Sequence, residues 1–480
     1  MNKDLRYFLS WIEKNFPDNF LRVTEPIMTE YEITALQYAL ANKGKHPVIY
    51  CEKPIKKDGS ISDIPIVVNL TASREICCRL LGISDPKRAA IEYESKVGDK
   101  KDTIIVSAKE ASVKEVINKG SEVDLFKFPH TIQHEMNVGP YITAGFVTTY
   151  DPDTGIDNTS LMRCWVKEKN KTGLVASPTT HNLNNMNKFR SRGEDIPVAV
   201  WIGHHPAGLI GAQTKGGYPD SHYPYMAGCL KENLRLVPTE TFGNKLLVPA
   251  DAEIVIEGYI PSNVYEAEGP FAEYTGYVGP QLPAPVIEVT CVTHRKNPIY
   301  HDYAVGLPDM LILDNMAIEA RIYKNVKSVI PELLNVHVPI SGKRFHAYLQ
   351  IDKLRPGIGK DAILAALPCY PRLKHVFVVD KDIDIFDDNQ VMWAIASRTQ
   401  WDKDVYILPG GTVSPLDPSV PKPGDIGCNG GIDATLPPPI APGLPNYFQA
   451  VNKVPLKVME QFKLDKFVKS NRISKMLETF

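Results

Sequence analysis

Two hydrophobic periods alternate along this chain in a fixed order, and that order limits its fold more than any single residue does. Leu5, Phe8, Leu9, Ile12 and Phe16 recur at helical spacing, which predicts an amphipathic helix over 4–16. Ile33, Leu36 and Leu40 repeat the pattern between Glu30 and Ala41. The runs PVIYCE and IPIVVNL then read as short strands, and SREICCRLLG reads as a helix closed by Gly82. From about 125 to 305 the pattern turns β-rich, with YITAGFVTTYD, LMRCWVKE, IPVAVWIG, EIVIEGYIP and VIEVTCVTH separated by turn residues. Two helical stretches, HNLNNMNKFRSRG and YMAGCLKEN, interrupt it, so this part reads as a β-barrel or sandwich with inserted helices. Beyond about 310 the alternation of helix and strand returns: DNMAIEARIYKNVKSVI, FHAYLQID, GKDAILAALP, HVFVVD, DNQVMWAIASRTQ and DVYILP. From Val454 onward, Val458, Phe462, Phe467 and Val468 stand among lysines and predict a terminal helix with one apolar face. The fold class is therefore α+β / α/β multidomain: an α/β region over 1–120, a β-rich domain over 121–308, an α/β domain over 309–450 and a terminal helix over 451–480.

Composition narrows the class of function. A net charge of -2 gives no basic excess for bulk nucleic-acid binding, although it leaves room for a local basic pocket. No apolar run approaches the roughly 20 residues that span a membrane, and MNKDLRYFLSWIEKNF lacks the apolar stretch of a signal peptide. The 8 cysteines are scattered, and adjacent Cys77 and Cys78 suit neither a zinc knuckle nor an easy disulfide. A cytoplasmic chain with reduced thiols is the expectation. Prolines crowd the stretch from Pro409 to Pro445, which cannot be one regular element and is expected to be an ordered loop packed over the body.

Chemistry concentrates in EGYIPSNVYEAEGPFAEYTGY. Glu268 and Glu273 stand five apart with Gly269 and Pro270 between them, and such a turn can aim both carboxylates into one pocket. Close carboxylates cannot both ionise cheaply, so one becomes an acid near neutral pH. Spacing alone also fits a solvated loop with two surface charges. In Asn158–Arg163, the asparagine and arginine fall at opposite parities of a strand and share a face only if a turn or bulge intervenes. Arg163 can hold a buried carboxylate ionised. Asn158 and His181 can offer oxygen and nitrogen to a metal such as Mn²⁺, though an asparagine alone is usually a turn residue and a lone histidine structural. RPGIGKDAI and GCNGGIDAT miss the phosphate-loop and dinucleotide spacings and read as turns. Lys374 before HVFVVD is either a surface charge or a phosphate contact, and His204-His205 is either a metal pair or a turn.

In order along the chain, DLRYFLSWIE, GPYITAGFVTTYDPDTGIDN, Met162-Arg163, RGEDIPVAVWIGHHPA, VPADAEIVIEGYIP, EGPFAEYTGY, HRKNPIYH, VMWAIASR and GIDAT resemble the UbiD family of decarboxylases, in its hydroxyarylic acid decarboxylase-like branch. EGPFAE after VPADAEIVIEG is the most specific part. The resemblance implies a central split β-barrel that binds prenylated FMN, flanked by α/β regions. It implies a divalent metal, usually Mn²⁺, and K⁺ at the flavin phosphate, with the cofactor supplied by a flavin prenyltransferase. It also implies a homo-oligomer, dimer or hexamer, assembled with help from the C-terminal helix.

Carried over residue by residue, Asn158 and His181 resemble metal ligands, Arg163 the arginine that bridges the carboxylates and meets the substrate acid, Glu268 its partner, Glu273 the proton donor and Lys374 a lysine near the flavin phosphate. One segment departs from the pattern. Where the family supplies a ligand Glu before Ala-Gly, this chain reads Asp220-Ser221-His222-Tyr223-Pro224-Tyr225-Met226-Ala227-Gly228. His222 or Asp220 stands in its place, and a neutral histidine there favours softer metals. The implied reaction is the reversible decarboxylation of an aromatic, hydroxylated acid to release CO₂. Its rivals are a subunit of a multi-subunit carboxylase of the phenylphosphate type, a non-catalytic flavin-binding subunit, and a hydrolase using the glutamate pair without flavin.

Overall fold

The computed structural model describes residues 3–176, 180–420, 426–438 and 448–468. The first helix, Leu5–Asn15, is capped by the Asp4 carboxylate, which accepts the Tyr7 N–H. It buries Leu5, Phe8, Leu9 and Ile12, the stripe its spacing predicts, in a core shared with Phe146 and Trp201. Behind it lies a four-stranded sheet ordered Phe20–Val23, Val48–Cys51, Ile66–Val68, Tyr300–His301. The last strand arrives from beyond the β-rich region and pairs parallel with Ile66 and Val67. It covers an edge that the N-terminal residues alone would leave unpaired.

The β-rich region is one antiparallel sheet curled into half a barrel. Its strands run in the order Asp157–Leu161, Phe146–Tyr150, Ile196–Ile202, Ile254–Ile260, Leu282–His294, Lys171–Gly173, Cys164–Glu168, Tyr141–Ile142. Leu282–His294 is the spine, because Val116–Lys119 pairs with one end and Tyr265–Glu268 with the other. Ile196–Ile202 is buried at every position, and its Trp201 stacks on Phe146 at 4.4 Å. The helices His181–Ser191 and Tyr223–Leu230 are the expected insertions.

The long helix Pro308–Val329 leads into a five-stranded sheet ordered Leu333–His337, His346–Ile351, His375–Asp380, Gly427–Ala434, Val405–Gly411. Here the turn expected at GCNGGIDAT is corrected to a strand. Glycine is what lets it fit: a Cβ on Gly430 would lie 2.3 Å from the Tyr406 carbonyl oxygen, and one on Gly431 2.5 Å from that of Val376. Pro409 sits in the edge strand Val405–Gly411, where the missing N–H is tolerated. Of the proline-rich stretch, residues 421–425 and 439–447 lie outside the described residues. Ser414 and Asp417 are buried, and the Ser414 hydroxyl lies 3.2 Å from that of Tyr274. Of the terminal helix expected over 451–480, the described residues hold the six-residue helix Leu456–Gln461, with Val458, Phe462 and Phe467 exposed; 469–480 fall outside the described residues. No described helix is long and apolar enough to cross a membrane.

Candidate active site

Arg163 lies where the strand pattern breaks. Asp157–Leu161 pairs with Phe146–Tyr150, Met162 and Arg163 belong to no strand, and Cys164–Glu168 then pairs with Tyr141–Ile142. On the other side, Glu268 ends Tyr265–Glu268, and Gly269 at φ +82° turns the chain into Phe271–Ala272. A side chain there would be strained, and its Cβ would sit 3.0 Å from the Pro280 carbonyl oxygen. Glu273 follows at the start of a tight hairpin, its N–H bonded to the Tyr277 carbonyl at 2.8 Å.

The break and the turn bring three distant side chains together. Arg163 donates from Nη2 to Glu268 Oε2 at 3.0 Å and from Nε to Oε1 at 3.2 Å, a bidentate pair. Its Nη1 donates to Glu273 Oε1. Tyr141 adds its O–H to Glu268 Oε1 at 3.1 Å. The guanidinium lies 4.9 Å over the Phe271 ring, which packs on Tyr141 at 4.1 Å. Burial pushes the Glu273 carboxyl above its ordinary value, against the pull of Arg163. Burial alone would lower the arginine, but Glu273 and Glu268 reverse that and raise it, so the guanidinium stays charged. A buried acid biased toward its protonated form, beside an arginine fixed by a second carboxylate, is equipped to donate a proton.

Asn158, His181 and His222 line one cleft of about 160 Å³. Arg163 comes five positions after Asn158, so their Cα atoms are at most about 18 Å apart. Asn158 Nδ2 donates to Asn182 Oδ1 at 2.8 Å, which leaves Asn158 Oδ1 buried and without a hydrogen-bond partner among the described residues. His222 Nε2 lies 3.1 Å from the Thr214 carbonyl oxygen, and its Nδ1 is likewise buried and unpartnered. Burial holds His222 down to about 4 and also lowers His181, so both rings are neutral and can ligate. An orphaned buried acceptor costs about 1–3 kcal/mol. A divalent cation would satisfy both, so this donor set fits a metal. Lys215 and Arg321 line the same cleft and suit a phosphate. No cluster of three or more His, Cys, Asp or Glu side chains suited to a metal occurs among the described residues; this cleft offers two histidines and an amide oxygen instead.

The other residues singled out in the sequence lie elsewhere. Asp220 is committed to Lys100 at 3.0 Å and to the Tyr225 hydroxyl at 2.7 Å. Lys374 is paired with Asp417 at 2.7 Å and with the Ser419 hydroxyl at 2.6 Å, and does not line the cleft. His205 caps the helix Pro206–Ala212, accepting the Ala207 N–H at 3.1 Å, and buried His204 stands beside it; neither lines the cleft of Asn158, His181 and His222. Tyr141, Lys215 and Arg321 carried no mark in the sequence.

Three family models match in succession: the N-terminal, Rift-related and C-terminal domains of 3-octaprenyl-4-hydroxybenzoate carboxy-lyase (UbiD), over residues 16–92, 104–308 and 312–434. The anhydromevalonate phosphate decarboxylase of Methanosarcina mazei is 33% identical over 434 residues, 90% of this chain and 95% of the relative. A phenolic acid decarboxylase of Sedimentibacter hydroxybenzoicus is 31% identical over 92% of this chain and 93% of its own. Among solved structures, the UbiD-class enzyme HmfF of Pelotomaculum thermopropionicum in complex with FMN superposes with a TM-score of 0.88 at 33% identity, covering 97% of this chain and 100% of that one. An evolved dimeric form of HmfF in complex with prFMN gives 0.84 at 32% identity, with the same coverage. Matched over 90% of its length at 33% identity, the chain belongs to the UbiD family and is a carboxy-lyase of the decarboxylase type.

Proposed function

We propose that this protein decarboxylates an aromatic, hydroxylated carboxylic acid reversibly, in the cytoplasm and as a homo-oligomer, with prenylated FMN held through a divalent metal and K⁺. The observation that carries this reading is the single guanidinium shared by Glu268 and Glu273. Asn158, His181 and His222 would hold the metal, and Lys215 and Arg321 would meet the phosphate. When bound, prenylated FMN supplies the electron sink for loss of CO₂. Arg163, fixed by Glu268, meets the substrate carboxylate and orients it. Glu273 delivers its proton to the carbon that CO₂ leaves, and water or the next substrate reprotonates it. Run backwards at high CO₂, the same group takes the proton from the arene.

A flavin prenyltransferase would have to supply the cofactor, so the test uses protein co-expressed with one. Glu273→Gln should retain a bound flavin spectrum while CO₂ release falls by roughly 10²–10⁴-fold, the scale of general acid catalysis. Turnover unchanged in that variant removes Glu273 from the role. A second reading, a phosphorylated non-aromatic acid as substrate, draws on the Methanosarcina relative and on Arg372, which lies close enough to Glu273 to pull its pKa down. Hydroxybenzoates set beside a phosphorylated unsaturated acid in one anaerobic CO₂-release panel decide between them.

A further inference from the structure

Among the described residues, no carboxylate lines the cleft of Asn158, His181 and His222. Its tautomers and amide orientation are fixed by neighbours that leave one choice. The Thr214 carbonyl can only accept, so His222 Nε2 carries the proton and Nδ1 presents a lone pair. Asn182 accepts from Asn158 Nδ2, so Asn158 Oδ1 is the free end. Both atoms are buried, and neither has a partner among the described residues. The nearby acids are occupied. Asp157 takes the Ser221 hydroxyl at 2.8 and 2.9 Å, and Asp220 takes Lys100 and Tyr225. Asp314 serves two cations at once, Lys215 at 2.5 Å and Arg344 at 3.1 Å. Arg321, exposed, adds a further positive charge at the rim.

We infer that Asn158, His181 and His222 form a carboxylate-free site that prefers a borderline cation such as Co²⁺ or Zn²⁺ to Mn²⁺ and binds it tightly only together with an anion. The inference rests on the function proposed above and narrows its metal. Two imidazole nitrogens and one amide oxygen are neutral donors, so the hard-cation preference that carboxylates confer is missing and the ordinary order of affinities places Co²⁺ and Zn²⁺ above Mn²⁺. A dication entering a cleft lined by Arg321 and by Lys215, whose only carboxylate partner among the described residues, Asp314, is shared with Arg344, meets a net positive surround. A phosphate supplies the missing negative charge, so metal and phosphate each raise the affinity of the other by the same factor.

The test uses the full chain, freed of metal, with FMN as the phosphate-bearing probe. Calorimetry with Co²⁺ and with Mn²⁺ should give Co²⁺ at least ten times tighter. Saturating FMN should tighten either metal tenfold or more, and saturating metal should tighten FMN equally. His222→Glu should narrow the gap between Co²⁺ and Mn²⁺ and shrink the coupling to FMN, and His222→Ala should lose tight metal binding. Mn²⁺ binding as tightly as Co²⁺ to the wild-type chain, or metal affinity indifferent to FMN, overturns the inference. So does metal binding in a folded His222→Ala variant that matches the wild type. If those results came with intact Glu273-dependent CO₂ release, the decarboxylase reading would stand and only the account of the cleft would fall.

Discussion

Glu268 is held by more than Arg163, and the second donor is testable. Tyr141 is buried, and burial together with Glu268 raises its phenol, so it remains a protonated donor to Glu268 Oε1. Tyr141→Phe keeps the ring against Phe271 and Trp165 and removes only the O–H. A hydrogen bond to a charged group contributes about 1.5–3 kcal/mol, so kcat/KM should fall roughly 10–100-fold with flavin binding unchanged. In a Glu268→Gln background the same substitution should cost far less, a coupling of about 1 kcal/mol or more; equal losses in both backgrounds would make Tyr141 a packing residue only. The carboxylate pair was legible only in part: a Gly-Pro turn can aim two glutamates together, but the spacing also fits a solvated loop, and the ordered resemblance decided between them. Its partners were not, since Arg163 and Tyr141 lie 105 and 127 residues from Glu268 and no local period encodes such a contact. Arg163 entered through the ordered resemblance. Tyr141 sits in a run that reads only as strand. His222 stood out because it lies in the segment where the resemblance expects a carboxylate, but the orphaned nitrogen that makes it informative depends on the Thr214 carbonyl, which only the fold supplies.

Elements with one apolar face were readable, and those shaped by backbone proximity were not. Leu5–Asn15 and Arg74–Leu81 bury the residues their spacing predicts, and Gly82 closes the second at φ +76°. Pro308–Val329 begins six residues before the expected Asp314, because Pro308 at the first helical position starts the helix where periodicity gives no sign. Gly427–Ala434 escaped for the opposite reason: glycines that look like turn residues are there to let neighbouring strands and Ile363 approach. Gly430→Ala should therefore be costly despite its conservative appearance. The added Cβ meets the Tyr406 carbonyl oxygen at 2.3 Å, and a strand paired on both sides cannot shift cheaply. About 2–3 kcal/mol is expected from such overpacking, read as a lowered urea midpoint. Gly217, with nothing within 4 Å of its Cβ position and no left-handed backbone, is the control and should accept alanine nearly neutrally. Equal midpoints for the two variants would show that the sheet yields where the distances say it cannot.

The parts of the molecule meet on one carboxylate. Glu319, in the long helix Pro308–Val329, is fully buried. Arg74, from the N-terminal helix Arg74–Leu81, donates to both its oxygens at 3.0 and 2.6 Å. His337 Nδ1 lies 2.8 Å away, and the Val338 N–H donates at 2.9 Å from the edge of the C-terminal sheet. Burial would push this carboxyl up, but Arg74 and His337 pull it further down, to about 2. A carboxyl depressed on folding contributes stability above its unfolded value of about 4.5, and that contribution disappears as pH falls through the folded value near 2. Glu319→Gln leaves Arg74 buried without its countercharge, which typically costs about 3–5 kcal/mol at neutral pH. The stability difference between wild type and variant should then narrow steadily between about pH 4.5 and pH 2, because the wild type loses what the variant never had. Denaturant midpoints measured for both chains across that range check it, and a pH-independent difference would mean the cost is steric. Arg321 stands two residues further along the same helix and lines the cleft of Asn158, His181 and His222. Loosening the helix at Glu319 should therefore weaken FMN binding at neutral pH as well, even though Glu319 itself does not line that cleft.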